Sequence, residues 1–441
     1  MAHRVGIRLE DKSRWERRVP LVPEDVARLR TEHGVDVLVQ PSPIRVFSDA
    51  DYEAVGAQLS DDLSDAGVVL AVKEVPIDKL LPERCYGFFA HVIKGQPYNM
   101  TRLRHVLDSK ITLIDYERVT NEADRRLVKF GRQAGQAGMI DSFWSLGERL
   151  RREGLKTPFE SIRPAHEYRD LDHVGEVFEK VGAALLDGSG LDEPLIVGFT
   201  GRGSVTQGAL DVFDLLPHLQ VTPEELPEVL ARPERDRIFK VMLEKRHLAA
   251  MKDGSDFDEA TYRLEPELFR GRLHEFLPKL TMLINGIYWT DAYPRFISRE
   301  QVQEQWRRGE RRLRVIGDIT CDIDGAVELT YKATQPDDPV YLYDPETDSF
   351  RDGFDGRGVC VLAVDNLPCE LPRDASVHFS RHLREMVPSL AEADFTVPFD
   401  ELHLPLEIKR AVITHLGELT PDYRYLEAAL EEHAPVEALA E

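Results

Sequence analysis

The chain has 441 residues, of which 42% are hydrophobic, and its formal net charge is −23. This hydrophobic content is enough to bury a substantial core, and the length favours two or three domains. A surface this acidic repels phosphate backbones and anionic membranes. We therefore expect neither a nucleic-acid partner nor attachment to a membrane.

Cysteine content and hydropathy bear on where the protein works. The four cysteines include no CxxC pair, so we expect neither a disulfide framework nor a zinc site. The opening segment MAHRVGIRLEDKSRW lacks the apolar core of a signal peptide. The longest apolar stretch, residues 66–72, is far too short to cross a bilayer. The sequence therefore predicts a cytoplasmic protein with no bound metal.

The first 120 residues alternate two periodicities. The segments VGIRL, VDVLVQ, AGVVLAV, YGFFAHV and ITLIDYE have the length and apolar content of strands, and PEDVARLRTEHG places apolar residues at helical spacing. Strands and helices in alternation predict a parallel sheet covered on both faces. From Phe130 to Leu150, bulky apolar residues mix with Ala134, Gly135 and Gly138. This mixture predicts a long helix that packs closely on another backbone and begins a second domain.

The second domain opens with a pattern of its own. The strand LIVGFT is followed by the turn GRGSVTQG and by one apolar helical face, formed by Val205, Ala209, Val212, Phe213 and Leu216. Strand, glycine turn and helix are the start of a mononucleotide-binding unit. Further strands are predicted at TMLINGIYW, LRVIGDIT and VCVLAVDNL. The charged residues 218–280 are predicted to be helical and to form an insertion or an elaborated connection.

The last part of the chain bears on the domain organisation. It turns helical again at PRDASVHFSRHLREMVPSL, which can return to complete the first domain. The predicted fold class is α/β, with two Rossmann-like, doubly wound domains, parallel sheets and an active-site cleft between the domains. We place the first domain at residues 1–131 plus 366–441 and the second at 132–365, with the insertion at about 218–280.

The glycine turn is the candidate cofactor site. Gly201, Gly203 and Gly208 give GxGxxxxG, in which Thr206 stands where the Rossmann fingerprint has its third glycine. Glycine lets the backbone approach a pyrophosphate, whose charge then lies at the helix N-terminus. A turn of this kind with no ligand is the alternative, but the strand before it and the helix after it favour a cofactor. No Lys-Ser/Thr pair follows the glycines, which excludes a Walker A loop.

The choice of cofactor depends on the end of the next strand. NAD enzymes usually end that strand with a carboxylate that holds the ribose hydroxyls. Here the expected strand, HLQVT, ends at Thr222 with no acid, and Arg202 within the turn can meet a 2′-phosphate. The sequence therefore favours NADPH and leaves NADH open.

Polar residues follow the apolar runs of the first domain. Lys73 comes after AGVVLAV, His91 after YGFFA, and Asp115 with Glu117 after ITLI. Ligands of open α/β sheets bind beyond the carboxyl ends of the strands. Lys73 can hold a carboxylate, or act as an acid or base if its pKa is lowered, and His91 can transfer protons near neutral pH. From spacing alone, an exposed loop lysine and a structural histidine are equally good interpretations.

Charged residues at two further strand ends each have a functional and an ordinary interpretation. Glu16 and Arg18 lie just past the first strand, where an arginine near Lys73 would clamp a carboxylate and would otherwise belong to a solvated face. Asp318 and Asp322 flank the end of LRVIGDIT. They can orient a nicotinamide ribose or a catalytic histidine, or simply cap turns.

Together these motifs resemble one family, the lysine-2-oxoglutarate reductase half of the bifunctional aminoadipic semialdehyde synthase of animals and plants. More distantly, the chain is similar to lysine-forming saccharopine dehydrogenase of fungi and to alanine dehydrogenase. The matching segments run almost from end to end of the chain: WERRVPL, VLVQPS, LAVKEVP, FFAHVIKGQ, LIDYE, FGRQAGQAGMI, FTGRGSVTQGA, LINGIYW, GDITCDIDGAVE and DNLPCELPRDAS.

The resemblance implies roles for particular residues. It makes Lys73 and His91 the acid–base pair, and it assigns substrate binding to Glu16, Arg18 and Arg126. The cofactor-binding residues that it implies are Gly201, Arg202, Gly203, Ser204, Val205, Asp322, Asp365, Asn366 and Leu367. Arg202 differs from the residue that the family has in this turn.

The activity that the resemblance implies is the NAD(P)H-dependent reductive condensation of L-lysine with 2-oxoglutarate to saccharopine. Two alternatives stay open: an opine-type or amino-acid dehydrogenase for another amine and keto acid, and a non-catalytic nucleotide-sensing protein. The presence together of Lys73, His91, Arg18 and Asp322 argues against a sensor, which needs no proton transfer. The expected partners are small molecules, and the sequence leaves open whether the chain forms a homo-oligomer.

Overall fold

A computed structural model describes residues 4–232 and 234–433. Its strands, in chain order, are β1 Arg4–Ile7, β2 Asp36–Val39, β3 Gln58–Leu59, β4 Val68–Leu70, β5 Cys85–Phe88, β6 Thr112–Asp115, β7 Leu195–Thr200, β8 His218–Val221, β9 Ile238–Leu243, β10 Ala249–Met251, β11 Phe269–Gly271, β12 Met282–Asn285, β13 Val315–Asp318, β14 Val340–Asp344, β15 Ser349–Asp352, β16 Val359–Leu362, β17 Val412–His415 and β18 Glu418–Leu419. Its α-helices are α1 Pro23–His33, α2 Asp49–Ala54, α3 Pro97–Asp108, α4 Gly131–Arg152, α5 Leu171–Leu186, α6 Ser204–Phe213, α7 Leu226–Leu230, α8 Lys245–Leu248, α9 Glu259–Leu264, α10 Arg299–Arg307, α11 Pro372–Arg384, α12 Val387–Glu392, α13 Leu406–Lys409 and α14 Leu426–Glu432.

The chain divides into two compact units. The first takes the chain as far as Phe130 and again from Pro372 onwards, and the second is Gly131–Leu371. The chain stays in the second unit beyond the predicted boundary at residue 365, because Leu367 and Leu371 are buried in that unit's core. Residues 1–3 and 434–441 of the predicted first domain lie outside the described residues. No helix in the described ranges has both the length and the apolar character needed to cross a membrane.

The first unit is built on an eight-stranded sheet with the order β18-β17-β6-β5-β4-β1-β2-β3. Strands β1 to β6 are parallel, as the alternating pattern predicts, whereas β17 and β18 pair in antiparallel fashion. Helix α11 joins the two chain segments of this unit. The hydroxyls of Ser376 and Ser380 accept hydrogen bonds from the backbone N–H groups of Val19 and Val22, at 3.0 and 2.9 Å. The returning helix therefore fixes the segment that follows β1.

The second unit has its own eight-stranded sheet, with the order β15-β14-β16-β13-β12-β7-β9-β8. Six strands are parallel, and β14 and β15 make an antiparallel edge. Each unit thus has a mostly parallel sheet, in agreement with the predicted α/β fold class, with antiparallel strands at one edge. The strand of the glycine turn, β7, lies at the centre of its sheet between β9 and β12.

The predicted helical insertion at 218–280 is wrong in its first half. Strands β8 and β9 lie in that range, and both belong to the main sheet. After β9 the chain leaves the sheet until β12. This segment contains α8, α9 and an antiparallel ribbon of β10 and β11. Strand β8 is at the edge of the main sheet, where Leu219 and Gln220 are exposed.

Helices α4 and α6 pack backbone against backbone. A Cβ atom at Gly135 would lie 1.9 Å from the carbonyl oxygen of Val205, and one at Gly208 would lie 1.8 Å from the carbonyl oxygen of Arg132. The predicted close packing of the helix that follows Phe130 is confirmed. Because α6 begins at the glycine turn, this contact fixes the position of the turn.

We predict that Gly208→Ala lowers the free energy of unfolding by about 1–3 kcal/mol, because the added methyl group overpacks the α4–α6 contact. Gly175 on α5 is the matched control, since a Cβ atom there would meet nothing within 4 Å. Gly175→Ala should be neutral or stabilising by up to about 1 kcal/mol. Urea unfolding of both variants measures the difference, and equal stability of Gly208→Ala and wild type would contradict the packing account.

A buried carboxyl pair lies elsewhere in the second unit. Asp141 on α4 accepts a hydrogen bond from the N–H of Ala165 at 2.7 Å, and His166 Nδ1 lies 3.5 Å from Glu370 Oε2. Burial raises the pKa of Glu370 to about 8. Burial, and then the charge of Glu370, raise the pKa of Asp141 well above its usual range. Both side chains therefore favour the neutral form in the folded chain.

This pair predicts a pH dependence of stability. A carboxyl group whose pKa rises from 4.5 to about 8 on folding binds a proton that the unfolded chain has released. Its contribution is fully present below pH 4.5 and is lost as the pH rises through about 8. Between these limits, protonation of Glu370 makes the free energy of unfolding fall by about 1.4 kcal/mol for each pH unit of increase. We predict that Glu370→Gln, which mimics the neutral form, removes this dependence on pH. Glu427→Gln, at an exposed site on α14, should leave it unchanged.

Candidate functional site

The carboxyl ends of the first unit's parallel strands bring the predicted polar residues to one edge of the sheet. Ile7 of β1 is opposite Leu70 of β4, and Leu70 is opposite Gly87 of β5. Lys73 and His91 follow β4 and β5 within three residues of each strand end. We call five residues at this edge the strand-end cluster: Glu16, Arg18, Lys73, His91 and Glu117.

Lys73 lies beside a buried ion pair. Arg18 donates from Nε and Nη2 to the two carboxylate oxygens of Glu16, at 2.7 and 2.6 Å, and both side chains are 1% exposed. The Arg18 guanidinium also lies 4.4 Å from the centre of the Phe130 ring. Burial, and next the positive charge of Arg18, lower the pKa of Lys73, while Glu16 opposes them. Lys73 can therefore lose its proton more readily than an exposed lysine.

His91 is held in a strained loop. Its φ of +56° lies in the left-handed region, which non-glycine residues seldom adopt. Asn99 Nδ2 donates to the carbonyl oxygen of His91 at 2.7 Å, and the imidazole stacks on Phe89 with ring centres 6.2 Å apart. Nδ1 lies 3.6 Å from Glu117 Oε1, and the side chain is 34% exposed. The imidazole is thus oriented by a carboxylate and remains accessible.

Glu117 lies next to both His91 and Arg126. The interaction with His91 is the main cause that lowers the pKa of Glu117, so this group stays a carboxylate. Arg126 Nη1 lies 3.3 Å from Glu117 Oε1, and the Arg126 side chain is half exposed. Asp115 is buried, burial raises its pKa to about 6, and its side chain accepts from the N–H of Glu117 at 2.9 Å. Asp115 therefore shapes the loop, whereas Arg126 remains available to an anion.

The sequence prediction missed Glu10. Its carboxyl oxygens accept hydrogen bonds from the N–H groups of Val72 and Lys73, at 2.6 and 3.1 Å, and the residue is 6% exposed. Burial, with the charge of Glu16, raises the pKa of Glu10 to about 8. Glu10 thus holds the backbone that carries Lys73. The available signal was its place just after VGIRL, equivalent to the polar residues after the other strands.

The glycine turn of the second unit has the geometry of an anion site. Gly201 has a φ of +80°, and a Cβ atom on it would lie 2.9 Å from the carbonyl oxygen of Gly286. A Cβ atom on Gly203 would meet nothing within 4 Å, so the space in front of this residue is open. Helix α6 begins at the next residue with no side-chain cap on its first N–H groups. These features fit a pyrophosphate at the helix N-terminus.

A cavity of about 700 Å³ borders this turn, a size within the usual range of ligand sites. It brings together six of the predicted cofactor-binding residues, Gly201, Arg202, Gly203, Ser204, Val205 and Asp322. Asp365 is exposed, and Asn366 is partly exposed. Leu367 is 1% exposed and packs in the core, so its side chain supports α4.

Asp318 is part of a buried network at the strand ends. Its carboxylate accepts from Asn285 Nδ2 at 2.9 Å, from Thr320 Oγ1 at 2.8 Å and from Thr330 Oγ1 at 2.5 Å. Burial raises its pKa in spite of these bonds. Thr200 Oγ1 donates to Asn285 Oδ1 at 2.6 Å, so the network also reaches β7. Asp318 thus ties the strand ends together, a role that the sequence did not predict.

The strand HLQVT ends without an acid, as expected, but it is not the neighbour of β7 in the sheet. That neighbour is β9, because β8 takes the edge of the sheet, and Glu244 directly follows β9. Arg202 Nη2 donates to Glu244 Oε1, and Arg246 Nε lies 3.3 Å from Glu244 Oε2. The place of the ribose-binding carboxylate is thus filled by an acid that two arginines contact.

Cysteine and metal chemistry find no support in the described part of the chain. Cys85, Cys321, Cys360 and Cys369 form no disulfide. Burial is the main cause that raises the pKa of Cys321 to about 12, with smaller effects from Asp318 and Asp365. Such a thiol is a poor nucleophile. Within residues 4–232 and 234–433, no group of three or more His, Cys, Asp and Glu side chains is arranged to hold a metal ion.

The fold defines the class of the protein. A solved structure of L-alanine dehydrogenase superposes with a TM-score of 0.62 at 18% identity, covering 98% of this chain and 100% of that one. Residues 6–137 match the family of alanine dehydrogenase/PNT N-terminal domains. The chain therefore has the α/β fold of alanine dehydrogenase, with two mostly parallel sheets of eight strands.

Proteins of similar sequence indicate more closely which proteins with this fold the chain is related to. Alpha-aminoadipic semialdehyde synthase of Arabidopsis thaliana is 38% identical over 445 residues, which cover 96% of this chain and 41% of that protein. The mouse protein named alpha-aminoadipic semialdehyde synthase, mitochondrial, is 33% identical over 99% of this chain and 49% of its own length. Saccharopine dehydrogenase [NAD(+), L-lysine-forming] of Yarrowia lipolytica is 26% identical, over 89% of this chain and 93% of its own.

The family predicted from the motifs is confirmed. Over nearly its full length the chain is homologous to part of alpha-aminoadipic semialdehyde synthase, and it is more distantly similar to lysine-forming saccharopine dehydrogenase. The chain spans about half the length of the synthases that it matches. Its relatives thus include proteins whose names specify a nicotinamide cofactor.

We predict that Gly203→Ala weakens NADPH binding by roughly ten-fold or more, because a Cβ atom would enter the space that a pyrophosphate needs. The open surroundings of Gly203 should keep the free energy of unfolding within about 0.5 kcal/mol of wild type. Gly201→Ala is the matched comparison, and it should also destabilise the fold because Gly201 has a positive φ. Fluorescence titration and urea unfolding measure both effects, and unchanged NADPH affinity of Gly203→Ala would exclude the turn as the phosphate site.

Proposed function

We propose that this chain catalyses the NAD(P)H-dependent reductive condensation of L-lysine with 2-oxoglutarate to saccharopine. The observation that carries the proposal is the strand-end cluster. It combines a lysine of lowered pKa, a buried arginine and a histidine oriented by a carboxylate. Homology with a lysine-forming saccharopine dehydrogenase and with the synthases points to the same chemistry.

The reaction requires three steps on the substrates. The ε-amine of lysine forms a bond to the keto carbon of 2-oxoglutarate, the resulting carbinolamine loses its oxygen as water, and the imine carbon is reduced. A bound nicotinamide supplies the hydride for this reduction. The first two steps need proton transfer at the amine nitrogen and at the carbinolamine oxygen, which are the tasks of a general acid and base.

The cluster divides these tasks. Lys73, whose pKa is lowered, takes the proton from the substrate ammonium and exposes the nucleophilic amine. His91, oriented by Glu117, gives a proton to the departing oxygen. Arg126 is half exposed and meets a substrate carboxylate, while Arg18 supplies a fixed positive charge near Lys73. Each acid–base role contributes on the order of 10²–10⁴ in rate.

For the cofactor we propose NADPH. Arg202 and Arg246 converge on Glu244 at the end of β9, and Lys245 lies between Glu244 and Arg246 in the chain. Arginines that converge on one point favour a phosphate, and the 2′-phosphate distinguishes NADPH from NADH. Glu244 is the feature that favours NADH, since an acid at this position usually binds ribose hydroxyls. The ratio of kcat/KM for the two cofactors decides between them.

The proposal also covers partners and location. The partners are the small molecules lysine, 2-oxoglutarate and saccharopine, with no nucleic acid. For location we keep the cytoplasm, although the name of the mouse relative places that protein in mitochondria. Fractionation of the source cells tests this part of the proposal independently of the activity.

We predict that NADPH oxidation requires both L-lysine and 2-oxoglutarate, and that Lys73→Met and His91→Gln each lower kcat by roughly 10²–10⁴. The affinity for NADPH should stay at the wild-type value, because the glycine turn belongs to the other unit. Lys79→Met is the matched control, since Lys79 is also in the first unit but is exposed.

A screen of amines against keto acids distinguishes the alternatives. Turnover with another pair and none with lysine and 2-oxoglutarate would show an opine-type or amino-acid dehydrogenase. NADPH binding without turnover of any pair would show a nucleotide-sensing protein. Full activity of the double variant Lys73→Met, His91→Gln would dismiss the site assignment.

A further inference from the structure

The segment between β9 and β12 leaves the main sheet but returns to the glycine turn. A second cavity, of about 530 Å³, lies at the end of β9. Leu243 and Leu248 line it from the strand end and from α8, Ile287 lines it from beyond β12, and Phe257 lines it from the loop before α9. Its apolar side chains therefore come both from the sheet and from residues 244–281 between β9 and β12, which are called the additional segment.

This second cavity meets the cavity of about 700 Å³ at the glycine turn. Gly201, Arg202, Lys245 and Ile287 line both of them. The larger cavity extends to Asp322 near the end of β13, while the smaller one extends along the end of β9. In a doubly wound sheet the pyrophosphate lies at the turn, and the adenosine ribose lies at the end of the strand that occupies the position of β9. The smaller cavity is thus on the adenosine side.

Packing within the additional segment holds Phe257 at this cavity. The Phe257 ring lies 5.4 Å from the Tyr262 ring and 5.5 Å from the Phe269 ring, measured between centres. Tyr262 also contacts Phe269 and Tyr293, so the four rings form a small aromatic cluster that includes the β10–β11 ribbon. Lys245 Nζ donates to Glu259 at 2.8 Å and ties α9 to the end of β9. These contacts give the wall a structure of its own.

We propose that residues 245–271 form the outer wall of an adenine-binding pocket, in which Phe257 contacts the purine base. This inference rests on the proposed use of an adenine dinucleotide. It gives a binding role to a segment that the sequence predicted to be part of an insertion or an elaborated connection. Three aliphatic side chains and one aromatic ring line the pocket, and such side chains provide the apolar contacts that a purine needs. The cations Arg202 and Lys245 lie where the cavities meet, next to the phosphate position.

Isothermal titration calorimetry of the full chain with three probes tests whether residues 245–271 form the wall of an adenine-binding pocket. The probes are NADPH, 5′-AMP, which contains the adenine half, and reduced nicotinamide mononucleotide, which lacks it. We expect Phe257→Ala to weaken 5′-AMP and NADPH by roughly ten-fold, as loss of one base–aromatic contact does, and to leave the mononucleotide unchanged. Wild-type affinity of Phe257→Ala for 5′-AMP would overturn the proposal, and so would an equal loss for all three probes.

Two further variants separate contact from packing. Phe257→Leu keeps an apolar side chain in the aromatic cluster but removes the ring, and it should lose part of the 5′-AMP affinity. Phe269→Leu disturbs the same cluster at a residue that does not line the cavity, and its 5′-AMP affinity should stay near wild type. Equal losses in both would show that the ribbon only supports the site, which contradicts a contact with the base.

The outcome for the proposed function is read separately. Binding of 5′-AMP that depends on Phe257, with no turnover of lysine and 2-oxoglutarate, would support the wall and reject the proposed reaction. Saccharopine formation with a Phe257→Ala affinity equal to wild type would reject the wall alone. Absence of NADPH and 5′-AMP binding in the wild-type chain would reject both.

Discussion

The buried Glu16–Arg18 pair beside Lys73 is the interaction on which the proposed chemistry depends. A guanidinium in the protein interior is tolerated only when its hydrogen bonds are satisfied, and Glu16 accepts two of them. Burial, and next the charge of Arg18, lower the pKa of Lys73. A lysine of lowered pKa loses its own proton more readily, which the proposed proton transfer from a substrate ammonium requires. Glu10 completes the arrangement, because it binds the backbone on which Lys73 stands.

The two units position their candidate site residues in different ways. In the first, side chains at neighbouring strand ends constrain one another through ion pairs and strained backbone, as at Arg18 and His91. In the second, the backbone itself makes the site. The contact of α4 with α6 allows no side chain at Gly135 or Gly208, and it fixes a helix N-terminus with open space in front of Gly203. Substitutions should therefore affect proton transfer in the first unit and cofactor binding in the second.

Short apolar runs predicted most of the sheet, because buried strands such as β4, β5 and β7 need continuous apolar residues. The place of β9 could not be predicted, since strand order depends on pairing between distant segments rather than on local pattern. For this reason the sequence did not predict that Glu244 stands at the end of the strand beside β7. Spacing alone left Lys73 and His91 ambiguous, and family resemblance supplied their roles. Glu10 was missed because its hydrogen bonds to Val72 and Lys73 join segments that are far apart in sequence.

Transfer of deuterium from cofactor to product tests the central claim most directly. The chain is incubated with L-lysine, 2-oxoglutarate and NADPH deuterated at the position of hydride transfer, and the products are examined by mass spectrometry. The account predicts saccharopine with one deuterium, carried on the carbon that was the keto carbon of 2-oxoglutarate. A deuterated hydroxy acid formed without lysine, or a product with no deuterium, would contradict it.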